Sequence, residues 1–100
     1  MTERTWPERV RAEFAEWVLA ARHAHPGLGA ALDQHAAAVR ESIRAAGERV
    51  GPDTLTGYLI GFWDGAHEQG WRPPRPGDPL DFAALRLSAV CLMLDAVPAR

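Results

Sequence analysis

Hydrophobic residues recur at intervals of three and four through the first half of the chain, a spacing that places them on one face of a helix. The first series predicts a helix over about 6–25, with an apolar stripe of Val10, Phe14, Trp17, Val18 and Ala21. The second predicts a helix over about 29–49, with a stripe of Leu32, Ala36, Val39, Ile43, Ala46 and Val50. Each stripe marks a helix face that packs against the rest of the protein.

Two further helices are predicted in the second half of the chain, on either side of a proline-rich connector. The third spans about 53–69 and the fourth about 79–96, where Asp78 and Pro79 supply an N-cap and a first-position proline. The fourth helix is apolar on two faces, which is typical of a helix packed centrally or shared across a homodimer. The connector, 71–77, is expected to lie over the bundle with Trp71 as its anchor.

These elements predict an all-α, four-helix bundle-like single domain covering residues 1–100. A chain of 100 residues with 47% hydrophobic residues can bury one core without disulfides or a structural metal. The single cysteine, Cys91, lies in an apolar segment and is expected to be a small buried thiol. We predict no metal and no cofactor.

Charge and hydropathy argue against two classes of partner. The formal net charge is -2 and the arginines are scattered, so no nucleic-acid partner is expected. The longest apolar run contains Arg86 and Asp95 and is shorter than the roughly 20 residues of a membrane span, so no membrane partner is expected. The charged N-terminal segment lacks the apolar core of a secretory signal, which predicts a cytoplasmic protein.

A stripe of glycines lies inside the predicted third helix, at Gly57, Gly61 and Gly65. Together they cost roughly 2–3 kcal/mol relative to alanine, so a compensating benefit is expected. Three interpretations are open: the bias of a GC-rich genome, close packing against another helix, or a surface left open for a ligand or partner. We favour the second. Under the third, the neighbouring aromatic residues would form the walls of a site: Tyr58, Phe62 and Trp63.

Asp64, His67 and Glu68 share one face of the third helix, an arrangement that can hold a metal or support acid–base chemistry. We favour a solvated polar face, because a di-iron bundle needs a second such element and the sequence contains none. The candidate residues for binding a ligand or partner are Gly57, Tyr58, Gly61, Trp63, Asp64, Gly65, Glu68 and Trp71.

His35 is expected to be half-buried, because it lies about 60° from the centre of the second helix's apolar face. An imidazole in that position needs a hydrogen-bond partner. One interpretation is a structural histidine bonded to a carbonyl or a carboxylate, and the other is a general base or a group that orients a ligand. His35 and His67 are the candidate catalytic residues.

Three segments together carry a family resemblance: LDQHAAAVR from Leu32, GYLIGFWDGAHEQGWRP from Gly57 and LRLSAVCLM from Leu85. They resemble small uncharacterised actinobacterial proteins labelled natural product biosynthesis proteins. The resemblance covers about 28–97 and leaves the first helix outside. It implies a small-molecule or accessory role in secondary metabolism and assigns no catalytic residue.

The function we predict is that of a non-catalytic binding or accessory protein, which associates with itself and with a biosynthetic enzyme or a small apolar molecule. The alternative is a small cofactor-free enzyme that acts on an apolar natural-product intermediate in a cavity between helices, with His35 or His67 as the acid–base group. A DNA-binding regulator is disfavoured, because no helix-turn-helix with a basic second helix is evident.

Overall fold

Four helices make up most of residues 6–96, the part of the chain that the computed structural model describes, and no strand occurs in that part. They are α1 Trp6–Ala24, α2 Leu28–Ala45, α3 Pro52–Glu68 and α4 Phe82–Ala96. Residues 1–5 and 97–100 lie outside the described part, including the end of the family resemblance. The Cα radius of gyration is 13.4 Å, close to the roughly 13 Å of a compact 100-residue domain. The all-α, four-helix single domain is therefore confirmed.

Helix α4 is the centre of the bundle, because α1, α2 and α3 each pack on it. Leu87, Ser88, Ala89 and Val90 are each at most 1% exposed, although consecutive helical residues point in directions about 100° apart. Burial around the whole circumference explains why this helix is apolar on two faces. Of the two placements predicted for it, central packing is observed, and covering its faces requires no second copy of the chain.

The predicted stripes of α1 and α2 form much of the core. The buried positions are Val10, Phe14, Trp17, Val18 and Ala21 of α1, and Leu28, Leu32, Ala36, Val39 and Ile43 of α2. The last two positions predicted for the α2 stripe do not belong to it: Ala46 is exposed and Val50 is only half-buried. The reason is that α2 ends four residues earlier than predicted, at Ala45 rather than about 49.

Two glycines in the left-handed conformation end α2 and α3. Gly47 has φ +77° and Gly70 has φ +85°, values that side chains with a Cβ rarely adopt. After α3, the N–H groups of Gly70 and Trp71 donate to the carbonyls of His67 and Ala66 over 3.0 Å. This pattern satisfies the last carbonyls of the helix and turns the chain sharply, which sets the direction in which Trp71 leaves.

Helix α4 begins later than the sequence predicts, at Phe82 rather than 79. The N-cap is Asp81, whose Oδ1 accepts a 2.7 Å hydrogen bond from the Ala84 N–H, the usual geometry of a capping carboxylate. Asp78 instead closes a turn by accepting a 3.0 Å bond from the Arg75 N–H. The expectation that Asp78 caps α4 is therefore wrong, because the better-placed carboxylate lies three residues further on.

The connector lies along the bundle as expected. The His25 Nε2–H donates to the Asp78 carbonyl over 2.9 Å, which ties the connector to the turn between α1 and α2. Pro73 shares a small cavity with Phe14 and Trp17 of α1. The connector, which joins α3 to α4 in the chain, therefore lies next to α1 and the turn that follows it.

Two polar side chains of α4 have defined surroundings. Cys91 is 2% exposed, so the predicted buried thiol is confirmed, and burial raises its pKa to about 12. Asp95 pairs with Arg11 of α1 over 2.6 Å. None of the helices in the described part combines the length and apolarity needed to cross a bilayer.

Candidate functional site

The glycine stripe of α3 faces open space. Within residues 6–96, a methyl group added at Gly57, Gly61 or Gly65 would meet no atom within 4 Å beyond its chain neighbours and the adjacent backbone of its own helix. The interpretation that the stripe packs closely against another helix of this chain is therefore wrong. The reason is that α4 packs on the side of α3 that carries the buried Leu55 and Leu59, roughly 140° around the helix from the glycines.

Two of the three glycines form the floor of a groove of about 480 Å³, between α3, the connector and the start of α4. The lining residues are Gly61, Phe62, Gly65, Ala66, Gln69, Trp71, Phe82 and Ala83. The volume falls within the roughly 300–1,000 Å³ of small-molecule sites. Apart from the Trp71 indole, Gln69 is the only lining residue with a polar side chain, so the groove is suited to an apolar molecule.

Trp71 closes one end of the groove and is held there by Asp81. Its indole Nε1–H donates to both carboxylate oxygens of Asp81, over 3.2 and 3.3 Å. The same carboxylate caps α4, so one side chain fixes both the start of that helix and the tryptophan. The predicted role of Trp71 as the anchor of the connector is confirmed.

The opposite end of the groove is an aromatic wall that joins α3 to α4. Phe62 lies 6.3 Å from Phe82 between ring centroids, and it stacks on Tyr58 with centroids 6.1 Å apart and planes 10° apart. Phe82 is 59% exposed although it is large and apolar. An exposed phenylalanine beside a groove offers contact area that a bound apolar molecule would cover.

Behind this wall lies a polar group that we name the Arg86 cluster, consisting of Arg86, His35 and Tyr58. The Arg86 Nε–H donates to His35 Nδ1 over 3.0 Å, and its Nη1 donates to the Tyr58 hydroxyl over 3.1 Å. The guanidinium carbon lies 4.6 Å from the centroid of the Phe82 ring, in cation–π contact. One arginine of α4 therefore links side chains of α2 and α3.

The direction of these hydrogen bonds fixes where the protons lie. A guanidinium only donates, so His35 Nδ1 and the Tyr58 oxygen both accept. The proton of neutral His35 is therefore on Nε2. Burial, and secondarily the positive charge of Arg86, lower the pKa of His35 below 6.5. The expected partial burial of His35 is observed, but its partner is a guanidinium rather than a carbonyl or carboxylate.

Protonation of His35 should cost stability in acid. Because the folded-state pKa is lowered, the contribution of neutral His35 is complete above about pH 6.5 and is lost as pH falls toward the folded pKa. We expect urea unfolding to show a larger loss of stability between about pH 7 and about pH 5 for the wild type than for His35→Asn. The asparagine oxygen keeps an acceptor for Arg86 and does not titrate.

Equal pH dependence in the two proteins would contradict this coupling. The other histidines, His23, His25 and His67, are present in both proteins, so their contributions cancel in the comparison.

Residues 26–100 match the model of a family of unknown function, DUF6401. The chain belongs to the DUF6401 family. No curated protein and no solved structure gives a significant match. The DUF6401 match contains α2, α3, α4 and every residue of the groove and the Arg86 cluster, whereas α1 precedes it.

Two residues predicted for the site of this DUF6401 protein lie on the other side of α3. The His67 Nδ1–H donates to the Trp63 carbonyl over 2.9 Å, and the two rings are 4.2 Å apart. Both rings also contact Trp71, at 5.5 Å from His67 and 6.0 Å from Trp63. Trp63 therefore packs against Trp71 but does not line the groove.

Three more predicted site residues are not part of the DUF6401 groove. Gly57, Asp64 and Glu68 are exposed on α3 and do not line it. Within residues 6–96, no group of three or more His, Cys, Asp or Glu side chains is arranged to hold a metal ion. Of the predicted binding residues, Gly61, Gly65 and Trp71 line the groove, and Tyr58 lies behind its aromatic wall.

Sequence reasoning missed the contribution of α4 to the DUF6401 groove. The two apolar faces predicted for the fourth helix suggested only core packing, yet Phe82 and Ala83 at its start line the groove. Arg86 was noted only as a charged exception in an apolar helix. The available signal was the spacing of four between Phe82 and Arg86, which places an aromatic ring and a cation on one helix face.

Proposed function

We propose that this protein is a non-catalytic small-molecule-binding protein that holds a planar, largely apolar molecule in the groove beside α3. The observation that carries the proposal is the glycine floor between aromatic walls: Gly61 and Gly65 leave open the space in front of the helix, and Phe62, Trp71 and Phe82 surround it. A flat molecule lying on the floor would contact the α3 backbone and be flanked by aromatic rings.

The cost of the glycines supports a binding role. An open helix surface is more stable with alanine than with glycine, by roughly 0.8–1 kcal/mol at each position. In the part of the chain that the structure describes, no neighbouring helix occupies the stripe, so no contact there offsets this cost. Proteins commonly lose some stability at functional sites, so glycines that keep space open at such a cost are typical of a binding site.

The resemblance to natural product biosynthesis proteins supports a more specific context. We propose that the bound molecule is an aromatic or polycyclic intermediate of secondary metabolism, which this protein carries or presents to an enzyme. A homo-oligomer and a biosynthetic enzyme as partner remain predictions.

Catalysis by His35 or His67 has less geometric support than binding. The lone pair of His35 already accepts a hydrogen bond from Arg86, so this nitrogen is not free to act as a base. His67 lies on the side of α3 away from the groove lining. His35 therefore offers no free lone pair to a molecule in the groove, and His67 does not line the groove.

The test uses N-phenyl-1-naphthylamine, a neutral aromatic probe whose fluorescence rises in an apolar site. We expect saturable binding with a dissociation constant on the order of 10–100 µM. Gly65→Leu should weaken it about tenfold or more, because a helical side chain extends toward the N-terminus and would lie over the Gly61 floor.

Gly57→Leu is the matched control, since Gly57 belongs to the same stripe but does not line the groove. Both variants replace a helical glycine by a strong helix former, so both should fold. Equal loss of binding in the two variants, or no saturable binding to the wild type, would contradict the proposal.

A further inference from the structure

We infer that the molecule bound in the groove carries an acidic group, and that Arg86 is the residue that pairs with it. This inference rests on the proposed function and narrows its ligand to an aromatic acid, with the rings on the glycine floor and a carboxylate against the Arg86 cluster. It rests on three observations: the charge of the cluster, the direction of its hydrogen bonds and its position at the aromatic wall.

The first observation is that Arg86 has no carboxylate partner. Within residues 6–96 its hydrogen bonds go to His35 and Tyr58, both uncharged, and the ion pair of α4 is made by Asp95 instead. The side chain is half-buried. A half-buried cation beside neutral groups has lost part of its hydration without gaining a counter-charge, so an anion that reaches it is bound favourably.

The second observation is that every group of the cluster has a donor left over. Nη2 of Arg86 makes no hydrogen bond in the described part and is not a buried atom. His35 carries its proton on Nε2, and the Tyr58 hydroxyl, which accepts from Arg86, keeps its own proton to donate. Three donors and no unused strong acceptor make a set that suits a carboxylate and disfavours a cation.

The third observation is that the cluster adjoins the groove. Phe82 lines the groove, and the centroid of its ring lies 4.6 Å from the guanidinium carbon of Arg86. Tyr58 stacks on Phe62, which also lines the groove. Phe82 is 59% exposed, so its ring can shift without breaking core packing. Because Phe82 contacts both the groove and Arg86, a substituent that projects past the Phe82 ring would approach the guanidinium.

The test compares two competitors that share a naphthalene ring, the anion 2-naphthoate and the neutral amide 2-naphthamide. Each is titrated at about pH 8 against N-phenyl-1-naphthylamine bound to the wild-type protein. We expect naphthoate to displace the probe at a concentration about tenfold or more below that of naphthamide, the effect of one charge-assisted hydrogen-bonded pair. Arg86→Gln should remove the preference, and Tyr58→Phe should reduce it.

Arg44→Gln is the control, since it removes an exposed arginine of α2 and the same net charge. It should keep the preference for naphthoate. If the probe binds but the wild type treats the two competitors alike, or if Arg86→Gln keeps the preference, the inference is overturned while the binding function stands. If the neutral probe does not bind at all, the proposed function itself fails. The wild-type comparison remains decisive if Arg86→Gln does not fold.

Discussion

Replacing all three glycines of the α3 stripe by alanine is expected to stabilise the protein by roughly 2–3 kcal/mol. Each alanine lowers the conformational entropy of the unfolded chain. Each new methyl group would also have no atom of the described residues within 4 Å beyond its chain neighbours and the helix's own backbone. The gain would be a large part of the typical 5–15 kcal/mol stability of a domain. Urea unfolding followed by circular dichroism measures it as a higher midpoint with an unchanged slope.

Gly70→Ala is the matched control for the triple variant. It is the same substitution at the end of the same helix, but Gly70 has φ +85°, so a Cβ there is strained by roughly 1–2 kcal/mol. The control should therefore be less stable than the wild type. A triple variant that is destabilised would mean that the stripe is covered in solution, for example by a second copy of the chain.

Leu87→Ala is expected to be the most damaging single substitution considered, with a loss of about 2–5 kcal/mol. Leu87 is 0% exposed in the helix on which the other three pack. Its truncation leaves a cavity at the centre of the bundle, where α1, α2 and α3 cannot all move inward to fill it. A lower urea midpoint at constant protein concentration measures the loss.

Leu19→Ala supplies the comparison, because it deletes the same atoms from a side chain that is 66% exposed on α1. Its effect should stay within about 0.5 kcal/mol. Similar losses for the two variants would contradict the central position of α4. A loss at Leu19 alone would indicate that the exposed face of α1 is buried against another molecule.

The two stability predictions bear on function in opposite ways. A more stable triple variant with weaker probe binding would show that the glycine stripe keeps space open at the expense of stability. The Leu87 variant acts on the support of the groove and not on its lining, so at temperatures where it stays folded it should still prefer naphthoate to naphthamide. Together the two variants distinguish residues that form the groove from residues that only stabilise the bundle around it.

The sequence by itself predicted the four helices and the core faces of α1 and α2, and it left α4 either central or shared with a second copy of the chain. Periodic apolar residues such as Phe14, Leu32 and Leu59 specify which side of a helix turns inward, because that pattern is local and repeats with the helix period. Left-handed Gly70 and its neighbour Trp71 could also be identified, since a helix end has its own local chemistry. The N-cap of α4 was not predicted correctly, because the conformation of the loop decides whether Asp78 or Asp81 reaches the first free N–H groups of the helix.

Only the tertiary structure decided what the glycines face and which polar groups meet. Whether Gly61 is covered depends on the angle at which α3 lies on α4, and that angle is set by the packing of many side chains rather than by the stripe itself. The meeting of His35, Tyr58 and Arg86 joins residues that are far apart in the chain. Local periodicity gives each helix its inward face, but the neighbours of its remaining faces are fixed only when the helices pack together.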